Sequence, residues 1–379
     1  MGPILILDKS ALQSLSLREM RRLRKHFSLN VPPILIAEIL GDLAKTDAAQ
    51  REQVIHLAKK MPAIDNYENE HYLRLCLAEF AGGKFEMRGV PILGGGTPVV
   101  TKSGERGMFF DATPEQLALL RWSQGDFSDS DKLLAATWRG MIPKIDIESY
   151  KHKLNRYYIV IPHADNFQDL AAAADRLLGE RSLRESLLNC LLDEFEISGT
   201  IRNLILFTWS VVGRPDLRAY APYASYCLRV MLVFIGGIRS KLISLDSTNR
   251  LDLEYCYYLP FCMGFVSRDH LHRELSAALL GPEQDFIEGD RLKSELRELA
   301  DEWDALSGVQ RNEREAEYGD YPPEREGSIA SMMWKKNMNP WSPGSGNRAI
   351  QMSKEQEARL MAKLDEYSEA IENAKRQQG

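Results

Sequence analysis

The sequence predicts an α/β protein: a parallel sheet flanked by helices, split by a mainly helical insertion and followed by a helical tail. Two short runs carry the sheet. Ile4–Leu7 (ILIL) is continuously apolar, the pattern of a strand covered on both faces. Residues 261–266 form a second buried run, and an aspartate follows closely on each, Asp8 and Asp269. The third observation is helical periodicity through most of the remaining chain.

After Asp8, residues 10–27 have helical content and a basic face, and Pro32 and Pro33 stop the chain before a second helix at 34–45. That helix carries Glu38. From 46 to 218 the pattern is mainly helical, with segments at 49–60, 70–80, 114–122 and 169–196. Residues 82–107 break it, because glycines around short β-branched runs read as a hairpin or a mobile loop. Gly94, Gly95 and Gly96 are not followed by Gly-Lys-Ser/Thr, so they do not form a phosphate loop. Residues 220–241 and 251–259 read as buried helices, and a helix at 271–280 is closed by Gly281 and Pro282. Leu292, Leu296, Leu299, Trp303 and Leu306, and later Leu360, Leu364, Tyr367, Ile371 and Ala374, mark two amphipathic helices that need a partner. Residues 318–348 between them read as an extended or flexible connector. The expected division is a core of 1–45 and 219–285, an insertion at 46–218 and a tail at 286–379.

With 379 residues, 44% hydrophobic and 27% charged, the chain is long enough for two or three domains and should be mostly ordered. A net charge of -6 gives no global field to draw it onto nucleic acid or an anionic membrane, so such a partner needs a local patch. Five cysteines without CxxC spacing read as reduced, buried thiols of a cytoplasmic protein. The apolar run before Asp8 is too short for a signal segment. The longest apolar stretch, 226–238, contains Arg229 and falls short of the roughly 20 residues that span a bilayer. No membrane partner is expected.

Parallel strands would place Asp8 and Asp269 on one edge of the sheet, just beyond the carboxyl ends where ligands bind in open α/β folds. Two bare carboxylates at contact distance repel by about 1 kcal/mol in water and about 4 kcal/mol at an effective dielectric near 20. Clustering them therefore calls for a proton or a cation, and Mg²⁺ or Mn²⁺ suits oxygen ligands.

The segments LDKSAL at 7–12, ILIAEIL at 34–40, LDLEYCYYLPF at 251–261 and FVSRDHLH at 265–272 resemble the acidic motifs of PIN domains. The resemblance implies a PIN-like nuclease fold with Asp8, Glu38, Asp252 and Asp269 as metal-binding, catalytic carboxylates. It further implies hydrolysis of phosphodiester bonds, with RNA preferred over DNA, by metal-activated water. The alternative is a PIN-like module that holds RNA or protein without cutting. The chain departs from compact family members in its long segment between the second and third acidic motifs, which leaves the substrate open.

Each candidate also has a plainer reading. Asp8 is a favoured helix N-cap. Glu38, on an otherwise apolar helix, is a ligand or half of a buried salt bridge. Asp252 and Glu254 cannot share one helical face, so one of them points to solvent; the resemblance favours Asp252 as the ligand, with Glu254 a secondary candidate. Ser267 either supports the metal site or caps the next helix. His270 and His272, which flank the site, either contact a phosphate or shuttle a proton or, more commonly for such positions, are ordinary helix-start residues. Arg18, Arg21, Arg22 and Lys25 line one helical face, solvated or in contact with phosphate. Trp122, Trp138, Trp209, Tyr220, Tyr223 and Tyr226 are expected mostly in the core. The C-terminal helices are the place for a protein partner or a second copy.

Overall fold

The computed structural model describes residues 2–45, 48–62, 66–343 and 353–378. Five strands form one parallel sheet: β1 (Ile4–Leu7), β2 (Ser28–Val31), β3 (Asn66–Glu68), β6 (Gly264–Ser267) and β7 (Asp285–Glu288), in the order β3-β2-β1-β6-β7. A separate antiparallel hairpin joins β4 (Thr97–Val100) to β5 (Arg106–Phe109). It supplies the hairpin expected within 82–107.

β1 is central because every side chain on it is apolar and both its neighbours pair in parallel, Leu5 with Leu29 on one side and with Gly264 on the other. Gly264 is required by packing: a Cβ there would stand 2.7 Å from Leu5 Cδ2 and 2.9 Å from Ile287 Cδ1. The chain winds outward from β1 through β2 to β3, then returns to the opposite side of β1 as β6 and continues to β7. The strand order thus reverses between β1 and β6, and ligands of open parallel sheets bind at such a switch point.

Three strands lie where the sequence pattern did not place them. β2 and β3 carry buried asparagines in place of an apolar run, with Asn30 Nδ2 donating to the Phe261 carbonyl at 2.8 Å. β3 comes from within 46–218, and β7 crosses the expected boundary at 285, so the sheet does not respect the expected domain division. A single hydrophobic core runs from Leu5 through Trp122, Leu188 and Trp209 to Met333. The intervening segment shares that core. Its centre is the buried helix Pro222–Arg239, packed against Phe167–Gly179. Among the described residues no helix is long and apolar enough to cross a membrane, and all five cysteines are free and buried. Trp122, Trp209 and Tyr223 are core residues, as expected.

The tail is docked. Helix Gly289–Ala305 lays Leu292, Leu296 and Leu299 against helix Leu17–His26. The connector expected at 318–348 contains helix Ile329–Asn337, whose Trp334 indole donates to the His26 carbonyl at 2.7 Å, while residues 344–348 lie outside the described residues. The last helix, Lys354–Gln378, lies along the hairpin, where Glu105 receives Lys363 at 3.0 Å and the Tyr367 hydroxyl at 2.7 Å.

The docked tail supplies partners for the basic helical face. Arg18 pairs with Asp301 at 2.6 Å and with Asp304, Arg22 lies 4.3 Å over the Trp303 ring, and Lys25 pairs with Glu315 and Asp320. Arg18 and Arg21 are exposed, and Arg22 and Lys25 are partly buried. Arg18 and Lys25 meet acidic groups of the tail and Arg22 meets its Trp303, contacts that periodicity within one helix does not reveal. Arg22→Glu should therefore cost about 1–2 kcal/mol of stability through the lost cation–π contact and reversed charge. An unchanged denaturation midpoint would show that the tail does not rely on this seam.

His26 lies in the same seam, its Nδ1 donating to the Asp320 carbonyl at 2.8 Å. Burial pushes its pKa down to about 4; the Asp320 carbonyl opposes this and Arg22 and Lys25 add to it. The unfolded chain takes up that proton near pH 6.5, so the contribution of His26 is complete above pH 6.5 and falls away as the pH drops toward 4. Melting temperature should decline over that interval less steeply in His26→Asn than in the parent, and parallel curves would refute the assignment.

Candidate functional site

Asp8 stands immediately past β1, its backbone N–H still bonded to the Val266 carbonyl of β6 at 3.1 Å. Its two oxygens divide the expected roles. Oδ1 caps helix Lys9–Ser14 by accepting the Ala11 N–H at 2.7 Å, and Oδ2 accepts the Ser267 hydroxyl at 2.6 Å across the switch point. The Ser10 hydroxyl donates to both oxygens. Asp269 likewise caps the next helix, His270–Leu279, through the Leu271 and His272 N–H groups. Ser267 turns to Asp8 and accepts the Asp269 N–H at 2.9 Å, so it belongs to the site and is not the cap.

The centre of the cluster is a residue that the sequence favours as a helix-start position beside the site. His272 is 1% exposed, with Nδ1 3.2 Å from Asp8 Oδ2 and 3.0 Å from the Ser267 hydroxyl. Its Nε2 lies 3.1 Å from the Asp252 carbonyl and 3.7 Å from the Asp252 carboxylate. Burial alone would push the imidazole down, but the Asp8 hydrogen bond and the charges of Asp252, Asp8 and Asp269 raise it to about 9. It is an imidazolium at neutral pH. A signal was available: His272, Leu275 and Leu279 repeat at steps of three and four on the buried stripe, whereas His270 points out and pairs with Glu274.

The carboxylates feel one another. Burial would raise Asp8, but the His272 hydrogen bond and charge, with Ser267 and the Ala11 N–H, hold it below the usual carboxylate range. Asp252 is pushed up to about 7 by burial, opposed by His272 and reinforced by Asp269, Glu38 and Asp8. Glu38 is also raised, by burial first, against the Tyr255 phenol that donates to its Oε2 and the charge of Lys9, with Asp8 adding to the rise. Lys9 donates to the Glu38 carbonyl at 2.9 Å and pairs with Asp42 at 2.8 Å, fixing the helix that carries Glu38.

All four expected carboxylates therefore share one electrostatic neighbourhood. Glu254 does not join them. It faces the other way, pairs with Arg250 at 3.1 Å and belongs to a buried group with Glu194 and Tyr150.

The donor chemistry suits a hard divalent cation, but several oxygens are already committed to helix caps, Ser267 and His272. Among the described residues no group of three or more His, Cys, Asp or Glu is arranged to hold a metal ion. Comparison of the chain with family models, curated proteins and solved structures gave no match.

Removing the buried imidazolium leaves Asp8 and Asp252 without their counter-charge. His272→Ala should lose about 3–5 kcal/mol of unfolding free energy in chelator-treated buffer, the scale of breaking one partner of a buried ion pair. Urea titration measures this, and a loss under about 1 kcal/mol would place His272 outside the charge balance.

Proposed function

We propose that the chain is a PIN-like, metal-dependent endonuclease that hydrolyses phosphodiester bonds, with RNA the preferred substrate. The observation that carries this reading is the surplus of buried negative charge at the switch point, where Asp252 is held near 7 by burial and its acidic neighbours despite His272. Such a surplus is the ground state of a cation site. The motifs that resemble PIN domains supply these same four carboxylates.

In this reading Asp8, Asp252, Asp269 and Glu38 would hold Mg²⁺ or Mn²⁺. A bound divalent ion supplies a hydroxide at neutral pH and draws charge from the phosphoryl oxygens. Ser267 and Ser10 orient Asp8, and Tyr255 and Lys9 orient Glu38 and its helix. His272 balances Asp8 and Asp252 in the metal-free protein and yields that role to the ion. Arg268 and Arg273 stand at the same edge, about half exposed, but pair with Asp290 at 2.8 Å and with Glu288, so a substrate backbone would compete with these carboxylates for them.

A second reading, a PIN-like module that binds RNA or protein without cutting, draws on one specific observation. His272 already bridges Asp8 and Asp252. The two readings separate in one assay. A single-stranded RNA oligonucleotide should be cut in Mn²⁺ or Mg²⁺ and spared in EDTA, and Asp8→Asn and Asp252→Asn should each lower the rate about a hundredfold or more, the equivalent of several kcal/mol of lost stabilisation. Parallel DNA reactions test the substrate preference. RNA binding without metal-dependent cleavage would leave the second reading in place.

A further inference from the structure

Beyond the carboxyl ends of β2 and β3 lies a cleft of about 730 Å³, a volume typical of small-ligand pockets. It shares no lining residue with the carboxylate cluster; Asp8, Glu38, Asp252, Asp269 and His272 are all outside it. One wall comes from the start of helix Pro33–Gly41, through Pro33 and Ile36, and the facing wall from residues 110–116.

Two oxygens on β3 in this cleft have no donor. Asn66 is 8% exposed, and while its Nδ2 donates to the Pro62 carbonyl at 3.0 Å, its Oδ1 has no partner. Glu68 gives Oε2 to the Thr113 hydroxyl and leaves Oε1 without a partner. Buried acceptors in native proteins are nearly always satisfied, so this pair calls for a donor from outside the chain. The terminal torsion of a glutamate is broad, which lets the carboxylate turn toward an incoming group.

Charge narrows the donor. Glu68, Glu70, Asp111 and Glu115 line the cleft against a single Arg74. Glu70 is occupied by the His71 N–H at 2.8 Å and lies 3.7 Å from Arg74, and Asp111 pairs with Lys375 at 2.8 Å. Glu68 and Glu115 remain uncompensated, and burial with the Glu115 charge raises Glu68 to about 7 against the Thr113 hydrogen bond. A phosphate or a nucleic-acid backbone would be repelled. The remaining lining includes two flat aromatic faces, Tyr67 and the exposed Phe110. A guanidinium meets every requirement together: permanent positive charge, a planar fork of N–H donors that matches a carboxylate, and stacking on aromatic rings. An ammonium is a compact, strongly hydrated charge that makes poorer use of the walls.

We infer that this cleft is a second binding site, for a guanidinium group presented either by a small molecule or by an arginine side chain of a peptide. The inference is independent of nuclease activity, because it is tested with the metal chelated.

Calorimetric titration in EDTA would use arginine amide, the tripeptide Gly-Arg-Gly, lysine amide and guanosine. Both arginine compounds should bind, lysine amide at least tenfold more weakly, and the isosteric Glu68→Gln should weaken arginine binding tenfold or more with an unchanged melting temperature. Phe110→Ala, at an exposed position, should weaken arginine binding more than lysine binding. Tighter binding of the tripeptide would assign the site to a partner chain, and equal binding to a small molecule. No binding at millimolar concentration, equal affinity in Glu68→Gln, or preference for the neutral guanosine would each overturn the assignment.

Discussion

The candidate site depends on the parallel pairing of Leu5, Ile6 and Leu7 with Gly264, Phe265 and Val266. Those residues stand far apart in sequence, and their register decides which side chains emerge together at the carboxyl edge. Asp8 leaves β1 where Ser267 ends β6, so a one-residue slip would turn Ser267 to the other face of the sheet and break its 2.6 Å contact with Asp8. The absence of a side chain at Gly264 lets β6 approach both β1 and β7, and the fully buried Phe265 packs its ring against Tyr255 and His272. Packing thus sets the geometry of the charges.

Holding four carboxylates near one another in a buried place is unfavourable, and the chain offsets the cost in three ways. Asp8 and Asp269 spend oxygens on helix N-termini, where N–H groups and the helix dipole favour negative charge. Glu38 is tied to the Tyr255 phenol, and Lys9 lies close by. His272 supplies a full positive charge between Asp8 and Asp252. The balance is incomplete, because Asp252 and Glu38 still sit above their ordinary values.

Much of this was legible in the sequence because burial on both faces leaves a uniform mark. β1 and β6 are such strands, and the aspartates beyond them were visible as the acidic groups nearest the run ends. β2, β3 and β7 were not, since Asn30 and Asn66 are buried by hydrogen bonding and the short β7 (DFIE) at the sheet edge has only two apolar residues, between acidic ends. His272 escaped because two histidines two residues apart look alike at a helix start, and only the stripe formed with Leu275 and Leu279 tells the inward one from the outward one. The partners of the basic face were hidden for another reason. Its spacing was read correctly, but Asp301, Asp304 and Glu315, which neutralise it, arrive from the tail, and no local pattern announces a contact of that range.

The segment between Glu38 and Asp252 therefore cannot be regarded as an addition to a finished core. It contributes β3, which pairs with β2 through Leu29, Asn30 and Val31, and without it β2 would become an open edge with unpaired backbone groups. The same segment brings Thr113 and Phe110 over the carboxyl end of β3, creating the acidic cleft, and sends Glu79 to accept the Tyr223 and Ala224 N–H groups at the start of the central buried helix. Strand, cleft and helix cap come from one stretch of chain. Most residues that line the cleft and the strand that completes the sheet are thus supplied by the same stretch of chain.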